Sequence, residues 1–151
     1  MQYLALIILV IAAGFVPSAA NADGGCTTLM QKEATLAELD FKDWQTFYGF
    51  YSKYISCGDD GIVGEGYSDS VVKLLANQWI QIETLEGIIK KHPDFREFVL
   101  SHIDATTDAD DLDKVISLSD KKCPASEQAL CKDIYYKATA ARQEMRKDTG
   151  Y

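Results

Sequence analysis

Ser68-Asp69-Ser70-Val71-Val72-Lys73-Leu74-Leu75-Ala76-Asn77-Gln78-Trp79-Ile80-Gln81-Ile82-Glu83-Thr84-Leu85-Glu86-Gly87-Ile88-Ile89-Lys90-Lys91 decides the fold class. Val72, Leu75, Trp79, Ile82 and Leu85 recur at spacings of three and four, the period of a helix with one apolar face. Val71, Leu74, Ile88 and Ile89 widen that face, which places the helix at the centre of a bundle. Ser68 or Asp69 carries a side chain suited to cap its start. His92-Pro93 ends it, because proline disfavours the helical conformation of the residue before it. This reading gives one helix from Ser68 to about Lys91.

The flanking sequence carries the same signal. Upstream, Trp44, Phe47, Tyr48, Tyr51, Tyr54 and Ile55 form an aromatic stripe at helical spacing, with Asp40 as its cap. Such a stripe reads as a core seam before it reads as a binding face. Thr27 or Thr28 caps an earlier short helix that turns Leu29, Leu36 and Leu39 inward. Downstream, Pro93 or Asp94 opens a helix with Phe95, Phe98, Val99 and Ile103 inward. Thr107 and Asp110 resemble a capping box for the next one. Ser126 and Glu127 start a last helix, which runs to about Met145, and Lys147 to Tyr151 is expected to fray. No strand-like alternation of useful length occurs. The expected fold is all-α, a single small bundle of about five or six helices.

The chain has 151 residues and a formal charge of -8. Residues 1–22 contain no Asp, Glu, Lys or Arg, so the whole charge belongs to residues 23–151. Leu4 to Val16 is continuously apolar and too short for the roughly 20 residues of a membrane span. Pro17 breaks it, and Ala20-Asn21-Ala22 fits the small-x-small pattern of signal cleavage. Residues 1–22 are therefore expected to be a signal peptide and 23–151 one helical domain, periplasmic or secreted. An acidic domain repels nucleic acid and anionic membrane, and it favours a basic protein surface or a cationic cleft.

All four cysteines, Cys26, Cys57, Cys123 and Cys131, lie beyond residue 22. Export and an even count imply two disulfides. If the first two helices form a hairpin that breaks near Leu39-Asp40, Cys26 and Cys57 meet at one end and Cys123 pairs with Cys131. The chain-entropy argument gives the longer loop about 3–4 kcal/mol and the shorter about 2.5 kcal/mol.

No reaction is legible. Asp108 to Asp113 lacks the glycine and the spacing of a calcium loop, and a helix dipole explains its acids. His92 and His102 have no metal-ligand spacing. Ser68, Ser70, Ser101 and His102 are available for nucleophilic chemistry, but nothing in the sequence brings them together. The chain is expected to be a binding protein and not an enzyme, with no cofactor and no metal. The segment Gly58-Asp59-Asp60-Gly61-Ile62-Val63-Gly64-Glu65-Gly66 reads as the one real loop, with four glycines in nine residues. Asp59, Asp60 and Glu65, with Tyr67 as an aromatic anchor, are its expected partner-binding residues.

The signal peptide, the cysteine spacing and the helical pattern of the mature chain together resemble the periplasmic immunity proteins that neutralise type VI secretion amidases. The resemblance implies a bacterial periplasmic inhibitor that blocks a toxin or cell-wall hydrolase by loop insertion. No site residue is carried over from it. A periplasmic chaperone or general binding module is the alternative, and a small hydrolase is a further one.

Overall fold

The computed structural model describes residues 41–59 and 61–149. Asp43 opens α1 (Trp44–Tyr54) from an extended backbone, and the Thr46 amide donates to its Oδ1 at 2.7 Å. The cap is thus Asp43 and not Asp40, which lies outside the described residues, as does the helix expected after Thr27. A 3-10 turn, Ile55–Cys57, prolongs α1. Then come α2 (Gly61–Asn77), a 3-10 turn at Trp79–Gln81, α3 (Ile82–Lys91), α4 (Pro93–Ser101), α5 (Ala109–Lys121), a 3-10 turn at Ala125–Glu127 and α6 (Gln128–Thr149). The described residues contain no strand, so the fold is all-α.

The long helix expected from Ser68 to Lys91 is two helices. It breaks at Gln78, where the backbone leaves helical geometry. Tertiary hydrogen bonds hold the break open. The Trp79 indole donates to the Lys122 carbonyl at 2.9 Å, and the Gln81 amide donates to the Lys42 carbonyl at 3.1 Å. The break lets both halves bury an apolar face, as Val71, Val72, Leu74 and Leu75 do on α2 and Ile82, Leu85, Ile88 and Ile89 on α3.

A larger correction concerns the glycine-rich stretch. Residues 61–66 are not loop but the first turns of α2. Glycine in a helix interior costs about 1 kcal/mol relative to alanine, yet packing decides most helices in proteins. Here a specific contact requires a glycine. A Cβ at Gly64 would lie 2.1 Å from the Asp59 carbonyl oxygen. Only a bare Cα lets the incoming chain approach so closely. Gly58 and Gly61 have φ of 92° and 54°, a left-handed region that side chains disfavour.

The aromatic stripe is a core seam. Trp44, Phe47 and Tyr54 are buried, and Phe47 meets Phe41, Trp44 and Tyr67 edge-on at centroid distances of 5.1, 5.9 and 6.2 Å. At its rim, Tyr48 stacks on His92 at 4.6 Å. Edge-on and offset pairs of this kind add about 0.5–1.5 kcal/mol each beyond burial.

The other half of the bundle is the α5–α6 hairpin. Cys123 and Cys131 form the expected disulfide at its turn, with Cα atoms 6.0 Å apart. Further along, the Arg142 guanidinium grips Asp113 through two bonds of 2.9 and 3.0 Å. The cap of α5 is Asp108, which accepts from the amides of Asp110 and Asp111, so the expected Thr107 capping box does not form. The Thr107 hydroxyl donates instead to the Asp104 carbonyl at 3.0 Å. Arg96 of α4 bonds Asp133 of α6 and ties the hairpin to the rest. Cys57 is also disulfide-bonded. The expected Cys26–Cys57 bridge has its Cys26 end outside the described residues.

Candidate functional site

Two segments far apart in sequence build one concavity. The first is the start of α2. Gly61, Gly64, Glu65 and Ser68 stand at helical positions i, i+3, i+4 and i+7, and so share one face. The second is the end of α4 with the turn after it, carrying Ser101, His102, Asp104 and Thr106. Between them, with Asp59 at the rim, lies an open cleft of about 400 Å³.

Ser68 welds the two segments together. Its hydroxyl, 1% exposed, donates to Asp104 Oδ2 at 2.6 Å. Asp104 Oδ1 accepts from the Thr106 amide at 2.9 Å and from its hydroxyl at 2.5 Å. Burial pushes the Asp104 carboxyl up. The hydrogen bonds from Ser68 and Thr106, with attraction from His102, outweigh that and hold it below the ordinary aspartate value. Asp104 is therefore an anion at neutral pH, fixed in orientation.

His102 lies between aromatic rings, 4.1 Å from Phe98 and 5.7 Å from Tyr67. Its Nδ1 sits 2.8 Å from the Phe98 carbonyl oxygen. A carbonyl only accepts, so Nδ1 carries a proton and donates it there. The Ser101 hydroxyl donates to the same carbonyl at 2.8 Å.

Of the four residues expected to bind a partner, Asp59 and Glu65 are exposed and line the cleft. Asp60 lies outside the described residues. Tyr67 is 3% exposed, and its ring packs edge-on against Phe98 at 5.0 Å. Burial, then the negative charge of Asp59, pushes its phenol up to about 12. Tyr67 thus belongs to the core beside the cleft and offers no exposed anchor. It sits one residue before Ser68, on a helix face that only became visible once residues 61–66 proved helical.

Asp104 and Thr106 are not among the site residues expected from the sequence. Ser68, Ser101 and His102 were visible but unconnected, because 36 residues separate Ser68 from Asp104. No local spacing encodes that apposition.

The chemistry of the cleft follows from where its protons point. Ser68 and Thr106 spend theirs on Asp104, and Ser101 spends its own on a backbone carbonyl. Among the described residues no serine donates to His102 Nε2, the pairing of nucleophile and base that acyl transfer uses. Among the described residues no three His, Cys, Asp or Glu side chains converge on a possible metal position. No Lys or Arg among the described residues lines the cleft. What remains is a set of acceptors and negative charges facing solvent. None of the described helices is long and apolar enough to cross a membrane. The sequence matches no protein family, no curated protein and no solved structure.

Proposed function

We propose that this chain is an exported protein-binding protein of the inhibitor or immunity kind, which neutralises a toxin or cell-wall hydrolase by docking its acidic cleft onto a basic or metal-bearing site of the partner. The single observation that carries the reading is that Asp59, Glu65 and Asp104 line one cleft without a counter-charge among the described residues of its lining. Carboxylates that line one cleft favour a cationic partner over an anionic one. The contact is not a projecting nine-residue loop. It is a concave face formed by the α2 start and the turn after α4, so the partner contributes the inserted group.

The Cys123–Cys131 disulfide supports an oxidising compartment, in keeping with export. A general chaperone would need a broad apolar surface. Among the described residues the exposed large apolar side chains are Ile80, in the turn between α2 and α3, and Tyr136, on α6, which does not favour that reading.

The experiment is capture from a periplasmic extract of the source cells. Tagged wild-type protein and the Asp59→Ala/Glu65→Ala variant are compared under one protocol, and bound proteins are identified by mass spectrometry. One enzyme retained by the wild type and lost with the variant supports the proposal. Equal retention by both, or none by either, overturns it.

A further inference from the structure

We infer that the Cys123–Cys131 disulfide is a redox latch, whose reduction by a dithiol frees the buried Glu127 side chain and opens the α5–α6 corner while the rest of the bundle stays folded. The inference uses no residue of the cleft and is independent of the proposed function.

The first observation is Glu127 itself. It ends the 3-10 turn Ala125–Glu127, midway between the two cysteines, and is 7% exposed. Its Oε2 is sealed from solvent and has no hydrogen-bond partner among the described residues. Nor does a Lys, Arg or His of those residues pair with it. Charged or neutral, a carboxyl oxygen so placed forfeits its hydrogen bonds to water, and the buried position is unfavourable on its own account.

The second observation is what keeps it there. The Cys123–Cys131 bond closes the segment around Glu127, with Cα atoms 6.0 Å apart. Inside the closed segment the Pro124 carbonyl accepts from the Glu127 amide at 3.1 Å and from the Gln128 side chain at 3.3 Å. The turn packs against α3 and α6, so the closure holds the carboxyl within the bundle. The Lys122 carbonyl, one residue before Cys123, accepts from the Trp79 indole. The break between α2 and α3 is therefore tied to the same corner.

The two sulfurs differ in access. Cys123 is half-buried, whereas Cys131 is 2% exposed. A thiolate of the dithiol attacks Cys123 Sγ, the S–S bond breaks, and Cys131 Sγ leaves and takes a proton. The second thiol of the dithiol then displaces Cys123 Sγ, which is protonated in turn, and the reductant closes its own disulfide. Two electrons and two protons pass to the protein. Once the closure is gone, opening the corner restores water to Glu127 and costs the bundle only local contacts.

The test is hydrogen exchange followed by NMR on the intact chain and on Cys123→Ala/Cys131→Ala, which stands in for the reduced latch and leaves the bridge at Cys57 in place. Relative to the amides of α2, those of residues 125–130 and the Trp79 indole N–H should exchange roughly tenfold faster in the variant, as local opening requires. Adding Glu127→Leu to that variant should return most of the protection, because the group that drives opening is gone. Uniform acceleration across the bundle would overturn the inference, since a plain crosslink acts through the unfolded chain. So would protection that Glu127→Leu fails to restore. A second measurement needs no cysteine variant. The wild type and Glu127→Leu are equilibrated in dithiothreitol buffers of graded ratio, alkylated and mapped by mass spectrometry. Glu127→Leu should require a several-fold more reducing ratio to open Cys123–Cys131, and an unchanged ratio would overturn the inference.

Discussion

Gly64→Ala is the sharpest test of how the glycine-rich stretch folds, because the two readings of that stretch predict opposite signs. In an open helix position, alanine for glycine stabilises by about 0.5–1 kcal/mol, since the unfolded chain loses freedom. At Gly64 the new Cβ would stand 2.1 Å from the Asp59 carbonyl oxygen, where ordinary contact begins at 3.4 Å. Backbone on one side or the other must move by about 1.3 Å to reach that distance. Neither partner is a flexible side chain, so the strain falls on the helix start and on the bend at Gly58. Overpacking of this kind costs about 1–3 kcal/mol, which exceeds the propensity gain. The expected net effect is destabilisation of about 1–2 kcal/mol, or a fall in Tm of roughly 4–12 °C for a domain of this size. Gly49→Ala is the control. Gly49 lies within α1 with nothing inside 4 Å of its Cβ, and the change should stabilise by about 0.5–1 kcal/mol. Thermal and urea unfolding followed by far-ultraviolet circular dichroism measures both. If Gly64→Ala stabilises as much as Gly49→Ala, the close approach of Asp59 to α2 is refuted.

Removing the hairpin bridge with Cys123→Ala/Cys131→Ala should cost about 2.5 kcal/mol by the chain-entropy argument for a short loop, read as a lower urea midpoint against the wild type. Asp104 links stability to pH with a definite sign. Its folded carboxyl is held below the ordinary value of 3.8, so its stabilisation is fully present above that value and is lost as pH falls through the folded one. Asp104→Asn should therefore be less stable than the wild type at pH 7, and the difference should narrow on acidification below pH 4. Melting temperatures across that range check it, and a gap that stays constant would contradict the hydrogen-bonded anion.

The helices were legible because their apolar period is long and regular. Val71 to Leu75, Phe95 to Val99 and Leu112 to Ile116 each show a buried face that only a helix provides. Their ends were less legible. Asp43 outcompetes Asp40 and Asp108 outcompetes Thr107, since any side-chain oxygen near a helix start can cap it and only the tertiary arrangement selects one. The break at Gln78 has no local breaker residue. It exists because Trp79 and Gln81 find carbonyl partners 43 and 39 residues away. The glycines misled for a related reason. Composition says loop, but the bare Cα of Gly64 serves a close contact in a helix. The cleft was half visible: Asp59 and Glu65 stood out as acids, while His102 and Asp104 join them only through the fold.

The central claim is that the cleft carboxylates carry partner binding. Titration calorimetry of the captured partner against wild type and Asp59→Ala/Glu65→Ala, each at low and at physiological salt, tests it most directly. Truncating one side of a buried charge pair costs about 2–5 kcal/mol, so the double variant should bind at least thirtyfold more weakly. Added salt should weaken the wild type more than the variant, because the variant has fewer charges to screen. An unchanged affinity with an unchanged salt dependence would contradict the account.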